Sequence, residues 1–249
     1  MLDLKNVTYS YQAKFGRVNT PTILNLNAHI DDGEFICILG PSGCGKTSLL
    51  NLIAGFERPD SGEISILGSE IDGPGVDRGV VFQSDDALFP WLTARENVEF
   101  GLKMKNIPPS ERRRISDNYL DLVHLEKHKE KYPSELSGGM KQRIQIARVL
   151  ANAPAVMLMD EPFGALDAQT RTKLQDDLID IWQETKKTVL FITHDIAESI
   201  TLADRIFVMA KGPGSNISKI FNVTMDRPRN RGDVEFGRLW EEINSSLHL

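Results

Sequence analysis

Gly40-Pro41-Ser42-Gly43-Cys44-Gly45-Lys46-Thr47 follows the short apolar stretch Glu34 to Leu39 and precedes a segment with Leu49, Leu52 and Ile53 on one helical face. This is the pattern G-x-x-x-x-G-K-[ST] in the strand–turn–helix setting that its mechanism requires. A phosphate needs several amide donors converging on a small volume, and glycines let the backbone curl that closely. The helix that follows turns its positive end toward the anion. Lys46 is placed to reach the β- and γ-phosphates of a nucleotide, and the Thr47 hydroxyl to coordinate Mg²⁺. Cys44 fills a free position of the pattern, either as a plain small residue or in a redox role. Gly55 is expected to stop the helix.

Outward from this loop, strand-like and helix-like segments alternate. Gly79 to Phe82, Ala155 to Met159, Val189 to Thr193 and Ile206 to Met209 are continuous apolar runs, which suit strands covered on both faces in a parallel sheet. Gly62 to Leu67 and the segment near Ile71 read as an antiparallel hairpin. Between Asp85 and Pro154 the helical signal dominates, with helices opening at Ser110 and Ser137. Leu174, Leu178, Ile181 and Trp182 mark a later amphipathic helix, and Phe236, Trp240, Ile243 and Leu247 one more. The expected fold class is α/β: a P-loop core with a parallel sheet, an antiparallel β subdomain and a helical lobe. The expected organisation is one domain over residues 1–249, with the lobe at about 85–154 and a C-terminal helical extension at about 215–249.

Composition bounds the function. A chain of 249 residues with 41% hydrophobic content can bury a sizeable core. The net charge of −6 argues against a general nucleic-acid binder. Two cysteines, Cys37 and Cys44, are too few for a disulfide framework and fit a reducing compartment. No stretch approaches the roughly 20 apolar residues of a spanning helix, and the N-terminus has no apolar signal-peptide core. Any membrane contact is therefore expected to go through a partner, from the cytoplasmic side.

Two strand ends carry further chemistry. Val156 to Met159 runs into Asp160-Glu161, and at the carboxyl end of a parallel strand side chains face the ligand crevice. Asp160 is expected to hold Mg²⁺ through water, and Glu161 to polarise the attacking water. Phosphoryl transfer rests mainly on positioning and charge stabilisation, so one carboxylate per task suffices. Val189 to Thr193 ends in His194-Asp195, which puts His194 in reach of a γ-phosphate and the catalytic water.

Leu136-Ser137-Gly138-Gly139-Met140-Lys141-Gln142-Arg143 closely resembles the signature motif of ATP-binding cassette proteins. Gln83 resembles their Q-loop glutamine, Phe163-Gly164-Ala165-Leu166-Asp167 their D-loop, and His194 their switch histidine. Tyr11 is similar in placement to the aromatic residue that stacks on adenine, although Tyr9 competes. The resemblance implies an ATPase with ATP and Mg²⁺ as cofactors. Gly40 to Thr47 with Ser48, Tyr11, Gln83, Ser137, Gly138, Gly139 and Asp167 would contact nucleotide, and Thr47, Gln83 and Asp160 the metal. Glu161, His194 and Lys46 would be the catalytic residues. It also implies head-to-tail dimerisation, in which the P-loop of one subunit and the signature of the other enclose each ATP. Position 140 is methionine where the family's common form has glutamine, which leaves Ser137 and Gly139 in place.

Gly73 to Gln83, Leu88-Phe89-Pro90-Trp91, Glu161 to Asp167 and Lys211-Gly212-Pro213-Gly214 resemble importers of the nitrate, sulfonate and taurine group. That branch implies a bacterial source, two transmembrane permease subunits and an extracytoplasmic solute-binding protein. The cassette would be peripheral on the inner face of the cell membrane. A homodimer is expected, with a heterodimer the alternative. Phe89, Pro90 and Trp91 would dock a short permease helix, with Trp91 as lobe core the competing reading. Arg112-Arg113-Arg114 reads as a solvated helix face. The stretch after Gly212 is short for the regulatory domain that some cassette importers carry. The rival class is a soluble cassette acting on DNA or ribosomes. Such proteins usually carry tandem cassettes, coiled coils or zinc modules, and none is present here.

Overall fold

The computed structural model describes residues 1–11, 20–83 and 87–247. In chain order the strands are β1 (Leu2–Tyr9), β2 (Ile23–Ile30), β3 (Phe35–Leu39), β4 (Ser61–Ile66), β5 (Ser69–Glu70), β6 (Arg78–Val81), β7 (Val156–Asp160), β8 (Thr188–Thr193), β9 (Arg205–Met209) and β10 (Ile217–Asn222). The α-helices are α1 (Lys46–Ala54), α2 (Ala94–Met104), α3 (Pro109–Leu122), α4 (Gly138–Ala151), α5 (Ala168–Thr185), α6 (Ile196–Leu202) and α7 (Val234–Leu247). The chain divides into two compact units, Met1–Gly75 with Lys187–Leu249, and Val76–Lys186.

The first unit is built around β3. All five of its residues are buried, with strands on both sides of it and helix α6 packed against it. It runs parallel to β8 and to β9, and β10 closes the β9 edge antiparallel. Helix α6 packs on β3 and β8, and α7 on α6 and β9. The buried Phe236 and Ile243 of α7 are the anchors the helical period predicts. A second, antiparallel sheet has the order β2-β1-β4-β5. The hairpin β4–β5 is the one expected from sequence, but β1, β2, β10 and α6 were not anticipated.

In the second unit β6 and β7 pair in parallel, and α2, α3 and α4 pack on one another. Gly79 of β6 has no room for a side chain, since a Cβ there would lie 2.3 Å from Val149 Cγ1 of α4. Helix α2 opens with a capping box, in which Thr93 and Glu96 satisfy each other's backbone amides. Helix α3 starts with Pro109 at N1, where the missing amide costs nothing. The basic run on α3 departs from expectation at one residue. Arg112 is half-buried, donates to the Ile107 carbonyl at 2.8 Å and lies 3.6 Å from Glu99, so its stem and charge serve the lobe interior. Only Arg113 and Arg114 are exposed.

Candidate active site

In the first unit, β3 delivers the chain into the glycine loop and α1 carries it away. A Cβ on Gly40 would lie 2.8 Å from Cys44 Sγ and 3.1 Å from the Met209 carbonyl. Gly43 (φ 79°) and Gly45 (φ 103°) occupy the left-handed region that side-chain-bearing residues avoid. Gly45 is also the N-cap of α1, and no side chain caps its first amides. Lys46 is 6% exposed, and its ammonium donates to the carbonyls of Gly40 at 2.8 Å and Pro41 at 3.2 Å. The amine is thereby held across the mouth of the loop it serves. Thr47 is exposed, with a hydroxyl that can reach an ion. Cys44 is buried, and burial pushes its thiol up. A protonated, enclosed thiol is a poor nucleophile, so Cys44 acts as a small packing residue.

The two tyrosines separate. Tyr9 is buried in β1, whereas Tyr11 is 54% exposed and meets Tyr9 edge-on, with 5.3 Å between ring centroids. The Tyr11 phenol is 2.9 Å from Ser48 Oγ on α1. A half-exposed ring tethered to the P-loop helix can stack on a base, and Tyr9 cannot. His194 follows β8 and is exposed. Its neighbours turn inward: Thr193 Oγ1 donates to Glu198 at 2.5 Å, and Asp195 accepts the Glu198 amide as N-cap of α6.

In the second unit, β7 is buried until its last residue, the half-buried Asp160. Glu161 follows with φ 41°, a left-handed conformation unusual for a residue with a long side chain. Its carbonyl accepts the Gly164 amide at 3.1 Å. A Cβ on Gly164 would lie 3.0 Å from Gln83 Nε2, so the bare glycine is what lets the Gln83 amide lie against this turn. Glu161, Gly164 and Gln83 thus form one cluster. Asp167 caps α5 by accepting the amides of Gln169 and Thr170, and the Thr170 amide above all holds its carboxyl below the usual range. Ser137 caps α4, accepting the Met140 amide at 3.4 Å, and is exposed. Gly139 is buried where a Cβ would lie 2.9 Å from Thr170 Cγ2, so α4 seats closely against α5.

Beyond Gln83, Trp91 is 69% exposed and is not core. Its ring centroid lies 5.5 Å from that of Phe89, which in turn lies 4.5 Å from Phe100. Phe82, Phe89, Phe100, Arg78, Lys105 and Arg148 line much of an apolar cleft of about 420 Å³. Sequence reading passed over Asn97 and Arg148, which brace this region. Asn97 was detectable as a polar residue inside the helical apolar pattern Ala94, Val98, Leu102.

The ABC transporter family profile matches residues 23–164, more than half of the chain. The chain belongs to the ABC transporter family. It is an ATP-binding subunit and an ATPase with the P-loop NTPase fold. Among relatives of this ABC protein, the nitrate import ATP-binding protein NrtD of Synechocystis sp. is 46% identical over 255 residues, covering 99% of this chain and 94% of its own. The bicarbonate transport ATP-binding protein CmpD of Synechococcus elongatus is 46% identical, covering 92% and 82%. The dimeric post-hydrolysis structure of the ATP-binding cassette MJ0796, bound to ADP and Pi, superposes with a TM-score of 0.75 at 34% identity. That match covers 91% of this chain and all of the other.

Proposed function

We propose that this ABC ATPase energises import of a small solute, of the nitrate, sulfonate and taurine class, through separate permease subunits. The observation that carries the import reading is its similarity, over nearly its whole length, to cassettes named for nitrate import and bicarbonate transport. Among the described residues no helix is long and apolar enough to cross a membrane, which fits a subunit that works at the inner membrane face through partners. The exposed Trp91 and the adjoining cleft offer the apolar surface that a short permease helix would cover.

ATP is read as lying between the P-loop of one subunit and the exposed Ser137 end of α4 in a second copy. Lys46 and the loop amides bind and orient the β- and γ-phosphates. Glu161 takes the proton of the attacking water, His194 steadies the γ-phosphate, and Tyr11 stacks on adenine. The metal donors proposed, Thr47, Asp160 and Gln83, are all hard oxygen ligands, which suits Mg²⁺. When bound, Mg²⁺ would neutralise charge on the phosphate oxygens. Gln83, beside the Glu161 turn, would relay nucleotide state to the docking surface.

The test is purification of the intact complex, followed by binding assays of its solute-binding protein against nitrate, taurine, alkanesulfonates, pyrimidines and bicarbonate. Binding of one of these, with solute-stimulated ATP hydrolysis, is the expected result. A complex with no binding protein that moves substrate outward would replace import by export.

A further inference from the structure

The aromatic segment after Gln83 is held by a side chain closed off from solvent. Asn97, one turn into α2, is fully buried. Its carbonyl oxygen accepts the Phe89 amide at 2.8 Å. Its amide nitrogen donates toward the carbonyls of Phe89 at 3.2 Å, Leu92 at 3.0 Å and Thr93 at 3.0 Å. One side chain therefore fastens both ends of the Phe89–Thr93 turn, from which Pro90 and Trp91 project. The capping box of Thr93 and Glu96 fixes the helix that carries Asn97. A second anchor comes from α4. Arg148 donates to the Ala87 carbonyl at 2.8 Å and lies 5.8 Å from the Phe89 ring centroid. Burial lowers its pKa, and the guanidinium stays close to backbone and ring. Helix α4 is also the helix that Ser137 heads.

We propose that Asn97 is a positioning residue for coupling: it makes the Phe89–Trp91 turn a rigid extension of α2, which packs on α4. Force applied to Trp91 then moves the helix that presents Ser137, rather than bending a loop. The Phe89 and Thr93 carbonyls also accept the backbone amides of Leu92 and Asn97, so an unbraced turn would leave the Phe89 amide and the Leu92 carbonyl to find other partners, and a surface turn finds them in water by changing shape. The proposal rests on the reading that Trp91 and Phe89 face a permease.

The experiment compares Asn97→Ala, Asn97→Asp, Trp91→Ala and Asn97→Ala/Trp91→Ala in the reconstituted transporter and in the isolated cassette. Asn97→Asp keeps the acceptor for the Phe89 amide and loses every donor. The isolated cassette should keep its KM for ATP and its basal kcat in both single Asn97 variants. Permease-stimulated hydrolysis and transport should fall about tenfold or more, the scale of losing an interface anchor. The double variant should lose little beyond Trp91→Ala alone, because both act through one turn. Coupling at wild-type level in both Asn97 variants, with Trp91→Ala uncoupled, overturns the proposal and spares the docking reading. Full coupling in Trp91→Ala overturns the docking reading itself. An equal loss in isolated and assembled cassettes, or failure of both Asn97 variants to melt cooperatively, assigns Asn97 to lobe stability and also overturns the proposal.

Discussion

The phenol oxygen of Tyr11 sits 2.9 Å from the hydroxyl of Ser48, one residue past the P-loop threonine. The tether fixes a half-exposed aromatic ring to the first turn of the helix that cradles phosphate. Tyr11→Ala should weaken ATP binding roughly tenfold, the lower part of the range for base–aromatic stacking. Tyr11→Phe keeps the ring and should lose much less. Calorimetric titration with ATP decides it, and equal losses in the two variants would assign the effect to the hydrogen bond.

Glu161→Gln should bind ATP as the parent does while hydrolysis slows by about 10²–10⁴, the usual scale for losing a general base. Size-exclusion chromatography in ATP should show an accumulated dimer. Parental turnover in this variant would remove Glu161 from the role of base.

Gly55 ends α1 with φ 77°, and a Cβ there would lie 2.2 Å from the Gly73 carbonyl oxygen. Left-handed strain and collision with backbone both oppose any side chain. Gly55→Ala should lower stability by about 2–4 kcal/mol. Urea unfolding measures this, and a change within error would mean that the Gly73 turn yields freely.

Burial, with the charge of Glu57 next, pushes the Tyr9 phenol up to about 12 from 10.0. The folded state therefore holds this proton more tightly than the unfolded state does. The resulting stability is intact below about pH 10 and is lost as pH rises toward about 12. Tyr9→Phe has no proton to lose, so its stability should fall less across that window. Denaturation just below pH 10 and near pH 12 compares the two, and parallel losses would place the alkaline sensitivity elsewhere.

Much of the fold was legible because its deciding segments obey one rule each. The five residues of β3 form one apolar run, and Gly45 and Gly55 punctuate α1 at both ends. The strands β1 and β2 were missed because their alternation breaks midway. Leu2 and Leu4 face the core, then Asn6 takes φ 51° and the register with both neighbouring strands slips, so Val7 and Tyr9 resume the buried side out of phase. Facing this bulge, Asn25 takes φ 50°, and Asn27 bonds the Asn6 amide and side chain. Asparagine tolerates that conformation, but period-two reading cannot see it. Site residues were visible where an unusual residue type marked them, as at Lys46 or Asp160-Glu161. Arg148 escaped because its value lies in a carbonyl 61 residues away that only the folded chain brings near, whereas Asn97 left a local trace as a polar residue in an apolar helical pattern, with nothing in that pattern to say what it bonds.

The backbone at Glu161 carries a further consequence. A residue with a Cβ gives up about 1–2 kcal/mol in the left-handed region, and glycine does not. At this turn, then, the residue that the backbone would prefer and the residue that the proposed base role needs are different. Glu161→Gly should melt at a higher temperature than the parent while hydrolysing almost nothing. A screen of this protein by thermostability alone would therefore reward the loss of its chemistry.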